Sequence, residues 1–237
     1  MYKMRPNLLK IIGIGLTSLA LSIPGCAAPR GIKPVESFSS NTHYSQKQEK
    51  GFQKAFKEGE KLTFTNDDWI GFHSSYPFLY IRDYWQTPAE TQKRKKGDCE
   101  DHAIYMSEQL EKYNVPNRVV VGLAQKGKLT SAHIWGEIEE NGETYIVDLS
   151  GYVDPSELPN LKLPDNWIFT SSGMKIPKKY FEDNSKMYQG FFSFQGPFTR
   201  QRLNEIQRHA HQKYLEYLFK ETLNPMNLLK KKQSKKP

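Results

Sequence analysis

The stretch "AHIWGEIEENGETYIVDLS" (residues 132–150) constrains the fold more than any other part of the chain. Two segments of alternating apolar and polar residues flank Asn141-Gly142, a dipeptide typical of two-residue β-hairpins. A turn centred there places Trp135 opposite Asp148, with His133 as the diagonal neighbour of Asp148. Because such neighbours share one face of an antiparallel pair, ~7–8 Å apart, the His133 imidazole can reach the Asp148 carboxylate. The sequence therefore predicts an antiparallel sheet that carries an oriented histidine.

The segment "GDCEDHA" (residues 97–103) predicts the start of a helix that carries a thiol. Asp98 is a favoured N-cap residue, and Asp101 stands three positions later, where an acid suits the helix dipole. The apolar periodicity extends the helix to about Tyr113 and puts Cys99 on its inner face. We expect the acids around Cys99 to point mainly toward solvent or toward an ion.

Packing this helix on the hairpin face would assemble a nucleophilic site. The positive end of a helix dipole and a nearby imidazolium both favour the thiolate, the reactive form of cysteine. Cys99 is then the nucleophile, His133 the base and Asp148 the residue that orients His133. The backbone N–H of Cys99 is a natural oxyanion donor, and the segment "YWQTP" offers Trp85 or Gln86 as a second one.

His102 is a weaker candidate for the base, although it lies close to Cys99 on the same helix. A base on the same helical turn leaves little room for a substrate carbonyl, so we expect His102 to be solvated or packed. The alternative for Trp85 is plain core packing. An inert buried thiol is likewise the ordinary alternative for an isolated cysteine.

The remaining segments complete an α+β pattern. Phe52 and Phe56 predict a weakly amphipathic helix over residues 46–61 that caps the domain. "TPAETQKRKK" predicts a short helix with a capping box of Thr87 and Glu90. "NRVVVGLA" predicts a further strand, residues 151–197 predict long ordered loops, and a last helix is expected from about Thr199 to Glu221.

Taken together, "YWQTPAETQKRKKGDCEDHA", "AHIWGEIE" and "YIVDLS" resemble the transglutaminase-like superfamily, and most closely the bacterial transglutaminase-like cysteine peptidases. The resemblance covers roughly residues 80 to 150. Its matching positions are Trp85, Pro88, Cys99, His133 and Asp148. It implies a papain-like α+β core in which the cysteine helix packs on an antiparallel sheet, and it implies cysteine peptidase or amidase activity.

For the acids at the helix start, the resemblance offers an alternative to capping, because relatives of this type can bind calcium through acids that flank the cysteine. These acids are Asp98 and Glu100 here. Oxygen ligands suit calcium, and an ion at this place would cancel charge that opposes thiolate formation. The nucleophilic chemistry itself requires no cofactor.

The N-terminus predicts export. A basic segment is followed by the apolar run "IIGIGLTSLALSI", which is too short to span a bilayer comfortably. Cys26 follows Ile23-Pro24-Gly25 in a pattern that resembles a bacterial lipobox, so residues 1–25 are interpreted as a lipoprotein signal peptide and Cys26 as the lipidated residue. The acyl chains would tether the protein to a membrane in the cell envelope without a spanning segment.

The sequence suggests three further units after the signal. Residues 26–62 form a spacer with the capping helix, residues 63–225 the catalytic domain, and residues 226–237 a basic disordered tail. The formal net charge of +8 falls to +5 when Lys3, Arg5 and Lys10 are removed with the signal. Five of the remaining positive charges lie in the tail, so the body is close to neutral and does not indicate a nucleic-acid groove.

Three functions fit these observations. The leading hypothesis is an exported, lipid-anchored thiol hydrolase that acts on a protein or peptide in the cell envelope. A transglutaminase-type acyltransferase, in which an amine resolves the acyl-enzyme, is the first alternative. A non-catalytic binding module of the same fold is the second. The sequence leaves the substrate and the oligomeric state open.

Overall fold

The computed structural model describes residues 45–65, 84–126, 129–150, 168–170, 173–182 and 188–223. Within these ranges the helices are α1 (Gln46–Gly59), α2 (Pro88–Arg94), α3 (Cys99–Glu111), α4 (Lys179–Glu182) and α5 (Arg200–Leu223). The strands are β1 (Thr63–Phe64), β2 (Lys96–Gly97), β3 (Asn117–Lys126), β4 (Leu129–Glu140), β5 (Glu143–Asp148), β6 (Ile168–Thr170), β7 (Gly173–Pro177) and β8 (Tyr188–Phe194).

The central element is a six-stranded antiparallel sheet in the order β6-β7-β5-β4-β3-β8. In the hairpin of β4 and β5, Gly136 lies opposite Val147, which is the predicted register. Asn141 and Gly142 both adopt positive φ, 53° and 80°, as the favoured two-residue turn requires. The hairpin prediction is therefore confirmed.

The cysteine-bearing helix α3 packs on β3 and β4. Met106 of α3 belongs to one buried cluster with Trp135 and Ile146 of the sheet, and Phe52 and Phe56 of α1 complete that cluster. The helix expected to cap the domain thus contributes two phenylalanines to its core. The α+β class, with the cysteine helix on an antiparallel sheet, is confirmed.

A second cluster lies beneath α5. Leu203, Ile206 and Ala210 of this helix are buried with Val121 and Phe192 of the sheet. The predicted terminal helix and these three positions of its buried stripe are confirmed. Burial of several large apolar side chains, each contributing roughly 1.5–3 kcal/mol, fixes α5 against the sheet.

The expectation of long loops over residues 151–197 is wrong where β6, β7 and β8 lie. These strands find partners far along the chain, since β7 pairs with β5 and β8 pairs with β3. β7 is buried at every position and includes Lys175, so it shows no alternation of apolar and polar residues. Residues 151–167, 171–172 and 183–187 lie outside the described ranges.

The predicted signal peptide, Cys26 and the basic tail also lie outside the described residues. Among the helices that the structure describes, none is long and apolar enough to cross a bilayer.

Candidate active site

Cys99 is the first residue of α3 and is half-buried. It lines a cavity together with His133 of β4 and Trp85, and α5 closes the cavity from the other side with Ala210 and Tyr214. The predicted nucleophile and the predicted base thus share one cavity. The Cys99 thiol donates a hydrogen bond to Oε2 of Glu100 at 3.3 Å.

His133 and Asp148 form the predicted imidazole–carboxylate pair. The Nε2 atom of His133 lies 2.6 Å from Oδ2 of Asp148, and both side chains are almost completely buried. The other carboxylate oxygen, Oδ1, accepts hydrogen bonds from the Ser150 backbone N–H at 2.9 Å and from the Ser150 hydroxyl at 2.5 Å. The Tyr188 hydroxyl donates to Oδ2 at 2.7 Å.

The Asp148 carboxylate is therefore surrounded by donors, and this fixes its charge. Burial alone would raise its pKa, but the charge of His133 and the hydrogen bonds from His133 and Ser150 lower the pKa of Asp148 to about 2. At neutral pH an ionised carboxylate only accepts hydrogen bonds, so the Nε2 atom of His133 carries a proton. In neutral His133, Nδ1 is then the atom that can accept a proton.

The acids around Cys99 are buried and do not point to solvent, so the solvent half of that expectation is wrong, and orientation toward an ion stays a prediction. Asp98 is 2% exposed, Glu100 2% and Asp101 0%. Asp98 occupies the N-cap position but its side chain makes no capping hydrogen bond. The first turn of α3 is instead covered by the segment before α2, because Asp101 accepts hydrogen bonds from Gln86 N–H at 2.7 Å and from Gln86 Nε2 at 2.5 Å.

The two candidate oxyanion donors occupy different positions. Trp85 lines the cavity, stacks on Phe194 with ring centroids 6.3 Å apart, and accepts a hydrogen bond from Arg200 at its carbonyl oxygen, 2.5 Å. The Gln86 side-chain amide donates to Asp101 and, at 3.2 Å, to the Lys96 carbonyl. Trp85 thus lines the cavity, whereas the Gln86 side chain is hydrogen-bonded to Asp101.

His102 was expected to be either solvated or packed, and in the structure it is packed. Its Nδ1 lies 3.3 Å from the Leu149 carbonyl oxygen, and its ring meets Phe64 edge-on at 5.9 Å. Burial lowers the pKa of His102, which favours the neutral ring.

Sequence reasoning did not find the outer parts of the site. Ser150 follows Asp148 in "DLS", and a short hydroxyl residue two positions after an aspartate is a recognisable local signal. Tyr188 carries no such signal, because it lies 40 positions from Asp148 in sequence. The face of α5 that lines the cavity, which includes Gln207 and His211, is identified only by packing.

The acids of the α3 start fit a hard cation in their chemistry. Asp98, Glu100 and Asp101 each offer a carboxylate oxygen, and these oxygens lie within 4.8 Å of one another. An all-oxygen donor set is the type that calcium prefers, and three carboxylates would supply part of its usual six to eight ligands.

A buried imidazole–carboxylate pair and a thiol at a helix start, joined by one cavity on an antiparallel sheet, agree with the family comparison. The chain belongs to the transglutaminase-like domain family, whose family model matches residues 31–171. The superfamily predicted from the sequence motifs is thereby confirmed.

Among solved structures the chain is similar to LapG of Legionella pneumophila. The calcium-bound form of that protein is 24% identical, with 54% of this chain and 68% of that chain covered and a TM-score of 0.34. The EGTA-treated form is 23% identical, with 60% and 72% covered and a TM-score of 0.34. A comparison with curated proteins finds no match.

Proposed function

We propose that the protein is an exported, lipid-anchored thiol hydrolase, a cysteine peptidase or amidase that works through an acyl-enzyme. One observation carries the proposal. A half-buried thiol at the start of a helix shares a cavity with a histidine whose Nε2 is hydrogen-bonded to a buried carboxylate at 2.6 Å. Family membership is consistent with it, since the range matched by the family model includes Cys99, His133 and Asp148.

In the proposed acylation step, Nδ1 of His133 takes the proton of the Cys99 thiol and the sulfur attacks the substrate carbonyl carbon. The C–S bond forms, and the carbonyl oxygen becomes an oxyanion near the first N–H groups of α3. The imidazolium then gives its proton to the amide nitrogen, and the C–N bond breaks. Asp148 keeps Nε2 protonated throughout and stabilises the imidazolium.

Deacylation reverses the roles of the same groups. Nδ1 of His133 takes a proton from water, and the hydroxide attacks the thioester carbonyl carbon. The C–S bond breaks, the carboxylic acid leaves, and Cys99 regains its proton. An amine in place of water would give the acyltransferase reaction with the same residues.

Export and lipid attachment rest on the sequence of residues 1–26 alone. The basic segment, the short apolar run and the lipobox-like cysteine support a tether to the envelope membrane. A peptide or protein in the envelope is then the class of substrate within reach of the site.

Calcium binding at the α3 start is a second part of the proposal. The supporting observation is the donor set, because Asp98, Glu100 and Asp101 gather three buried carboxylates next to the thiol. A divalent cation would supply positive charge there and offset the field of the acids at the sulfur. Titration calorimetry with Ca²⁺ on the wild type and on Asp98→Asn tests this, and equal heats for the two proteins contradict it.

The test of the hydrolase is labelling of Cys99 with iodoacetamide, read at the Cys99 peptide by mass spectrometry. We expect the wild type to react faster than a free thiol at neutral pH. His133→Ala should react about ten to a hundred times more slowly if His133 is the base, because an ordinary thiol is only a few per cent thiolate at neutral pH. Equal rates for these two proteins and a free thiol would overturn the proposal.

Substrate identification follows from the same variants. Envelope proteins of wild-type cells and of Cys99→Ala cells are compared for fragments present only in the wild type. Addition of a primary amine separates hydrolysis from transfer, because incorporation of the amine into the product occurs only when the amine resolves the acyl-enzyme.

A further inference from the structure

We infer that Tyr188 is a positioning residue that holds the Asp148 carboxylate and, through it, selects the protonated nitrogen of His133. The inference deepens the proposed function and rests on it. Tyr188 begins β8, at the opposite edge of the sheet from β6, in a region without a recognisable sequence motif.

The carboxylate geometry is the first argument. Oδ2 of Asp148 receives both His133 Nε2, at 2.6 Å, and the Tyr188 hydroxyl, at 2.7 Å, while Oδ1 receives two hydrogen bonds from Ser150. A carboxylate offers about four acceptor sites, so these four contacts use all of them. With every site used, the carboxylate group cannot rotate without breaking a hydrogen bond.

The ring of Tyr188 is the second argument. It contacts His133 with ring centroids 6.0 Å apart and meets Trp135 and Phe181 nearly edge-on, both at 5.0 Å. These contacts fix the direction of the phenol, and the hydroxyl is thereby aimed at Asp148. They also place an aromatic wall beside the imidazole.

The sheet provides the room for this contact. Gly122 of β3 lies between His133 of β4 and Gly190 of β8, at a register shift between β3 and β8. A Cβ at Gly122 would collide with the Gln189 carbonyl oxygen. Two adjacent glycines thus leave the sheet without side chains between the histidine and the strand that carries Tyr188.

The consequence concerns the tautomer of His133. When the carboxylate is fixed, Nε2–H is the favoured tautomer and Nδ1 is available to the thiol. Removal of the phenolic hydroxyl leaves Oδ2 with one donor, so rotation of the carboxylate then breaks three hydrogen bonds instead of four. The Nδ1–H tautomer, which has no acceptor lone pair at Nδ1 for the thiol proton, should then gain population.

The experiment compares Tyr188→Phe with the wild type, since phenylalanine keeps the ring contacts and removes only the hydroxyl. The first readout is ¹⁵N NMR of the His133 ring in the Cys99→Ala background, which reports the tautomer without any need for activity. The second is the rate of Cys99 alkylation at neutral pH in the otherwise unchanged chain. Tyr145→Phe is the matched control, because it removes a tyrosine hydroxyl that donates to Glu143 at 3.1 Å.

We expect Tyr188→Phe to raise the Nδ1–H fraction and to slow alkylation about tenfold, the loss of one hydrogen bond to a charged group. Tyr145→Phe should match the wild type in both. An unchanged tautomer in Tyr188→Phe overturns the inference, and slower alkylation without a tautomer change overturns it too, because a general packing defect would explain it.

The tautomer readout separates this inference from the proposed function. If wild-type Cys99 is inert and indifferent to His133→Ala, the hydrolase proposal fails. The NMR comparison in the Cys99→Ala background still decides whether Tyr188 positions the pair.

Discussion

The starts of α2 and α3 resemble each other in sequence and differ in structure. At α2, the Thr87 hydroxyl accepts from the Glu90 N–H at 3.4 Å and the Glu90 carboxylate accepts from the Thr87 N–H at 2.7 Å, a complete capping box. At α3, Asp98 holds the N-cap position with an extended backbone and no capping bond from its side chain. The acids that follow it are buried.

The two helix starts differ in where their acids find hydrogen-bond partners. The α2 start is capped within four residues, and its Glu90 carboxylate also pairs with Arg200 of α5. The α3 start is held by Asp101, which binds a segment 15 positions earlier in the chain. Burying carboxylates is costly, and a capping role alone does not require the burial of three of them beside a thiol.

The largest effect we expect is on folding stability, from removal of Asp101. Asp101→Ala leaves two buried donors of Gln86 without this acceptor, and each buried unsatisfied group costs about 1–3 kcal/mol. The free energy of unfolding, measured with urea, should fall by about 3 kcal/mol. Glu108→Ala, on an exposed part of the same helix, is the control and should change it by less than about 1 kcal/mol.

Asp148 is also a buried carboxylate, and unlike the α3 acids it accepts four hydrogen bonds that the structure defines. Its pKa falls from 3.8 in an unperturbed chain to about 2 in the folded protein, so the folded state binds fewer protons than the unfolded state between these values. The stabilisation is complete above about pH 5 and is lost as the pH falls toward 2. Wild type should therefore lose about 2 kcal/mol more unfolding free energy than Asp148→Asn from about pH 5 to about pH 2.

Urea titrations of both proteins at several pH values measure this difference. Parallel curves for wild type and Asp148→Asn would contradict the assignment of an ionised, donor-stabilised carboxylate. The sign of the change in unfolding free energy with pH is also informative. A carboxylate whose pKa is raised by burial would make the folded protein more stable as the pH falls, which is the opposite of our expectation for Asp148.

Mutation of Glu100 tests whether the acids at the α3 start influence the ionisation of Cys99. Its carboxylate accepts the thiol hydrogen at 3.3 Å, and negative charge at this distance opposes loss of that proton. With calcium removed by EGTA, Glu100→Gln should therefore alkylate at Cys99 about tenfold faster than wild type at neutral pH. Glu108→Gln is the charge-matched control, and a slower reaction in Glu100→Gln would reverse our reading of the acid cluster.

The sequence was sufficient where a local rule fixes the geometry. The Asn141-Gly142 turn determines the register of β4 and β5, and that register alone brings His133 to Asp148. The helix that begins at Cys99 follows from its cap position and periodicity. Both steps depend on residues fewer than twenty positions apart.

The sequence was not sufficient to predict contacts between residues that lie far apart in the chain. Tyr188 reaches Asp148 only because β8 pairs with β3, and no periodicity in the region of β8 indicates this pairing. The burial of the α3 acids is not predicted by the sequence for the same reason. Their burial depends on Gln86, whose contact with Asp101 is a tertiary interaction that a capping rule does not include.

The smallest effect we expect comes from mutation of the two N-cap residues, Thr87 and Asp98, and it compares their contributions to stability. Thr87→Ala removes a capping bond and should lower the free energy of unfolding by about 1 kcal/mol. Asp98→Asn removes a buried charge but no capping bond, so without calcium it should not lower this value. Urea denaturation in EGTA measures both. A loss in Asp98→Asn as large as that in Thr87→Ala would mean that Asp98 stabilises the helix after all, and the α3 start would then differ from the α2 start only in its burial.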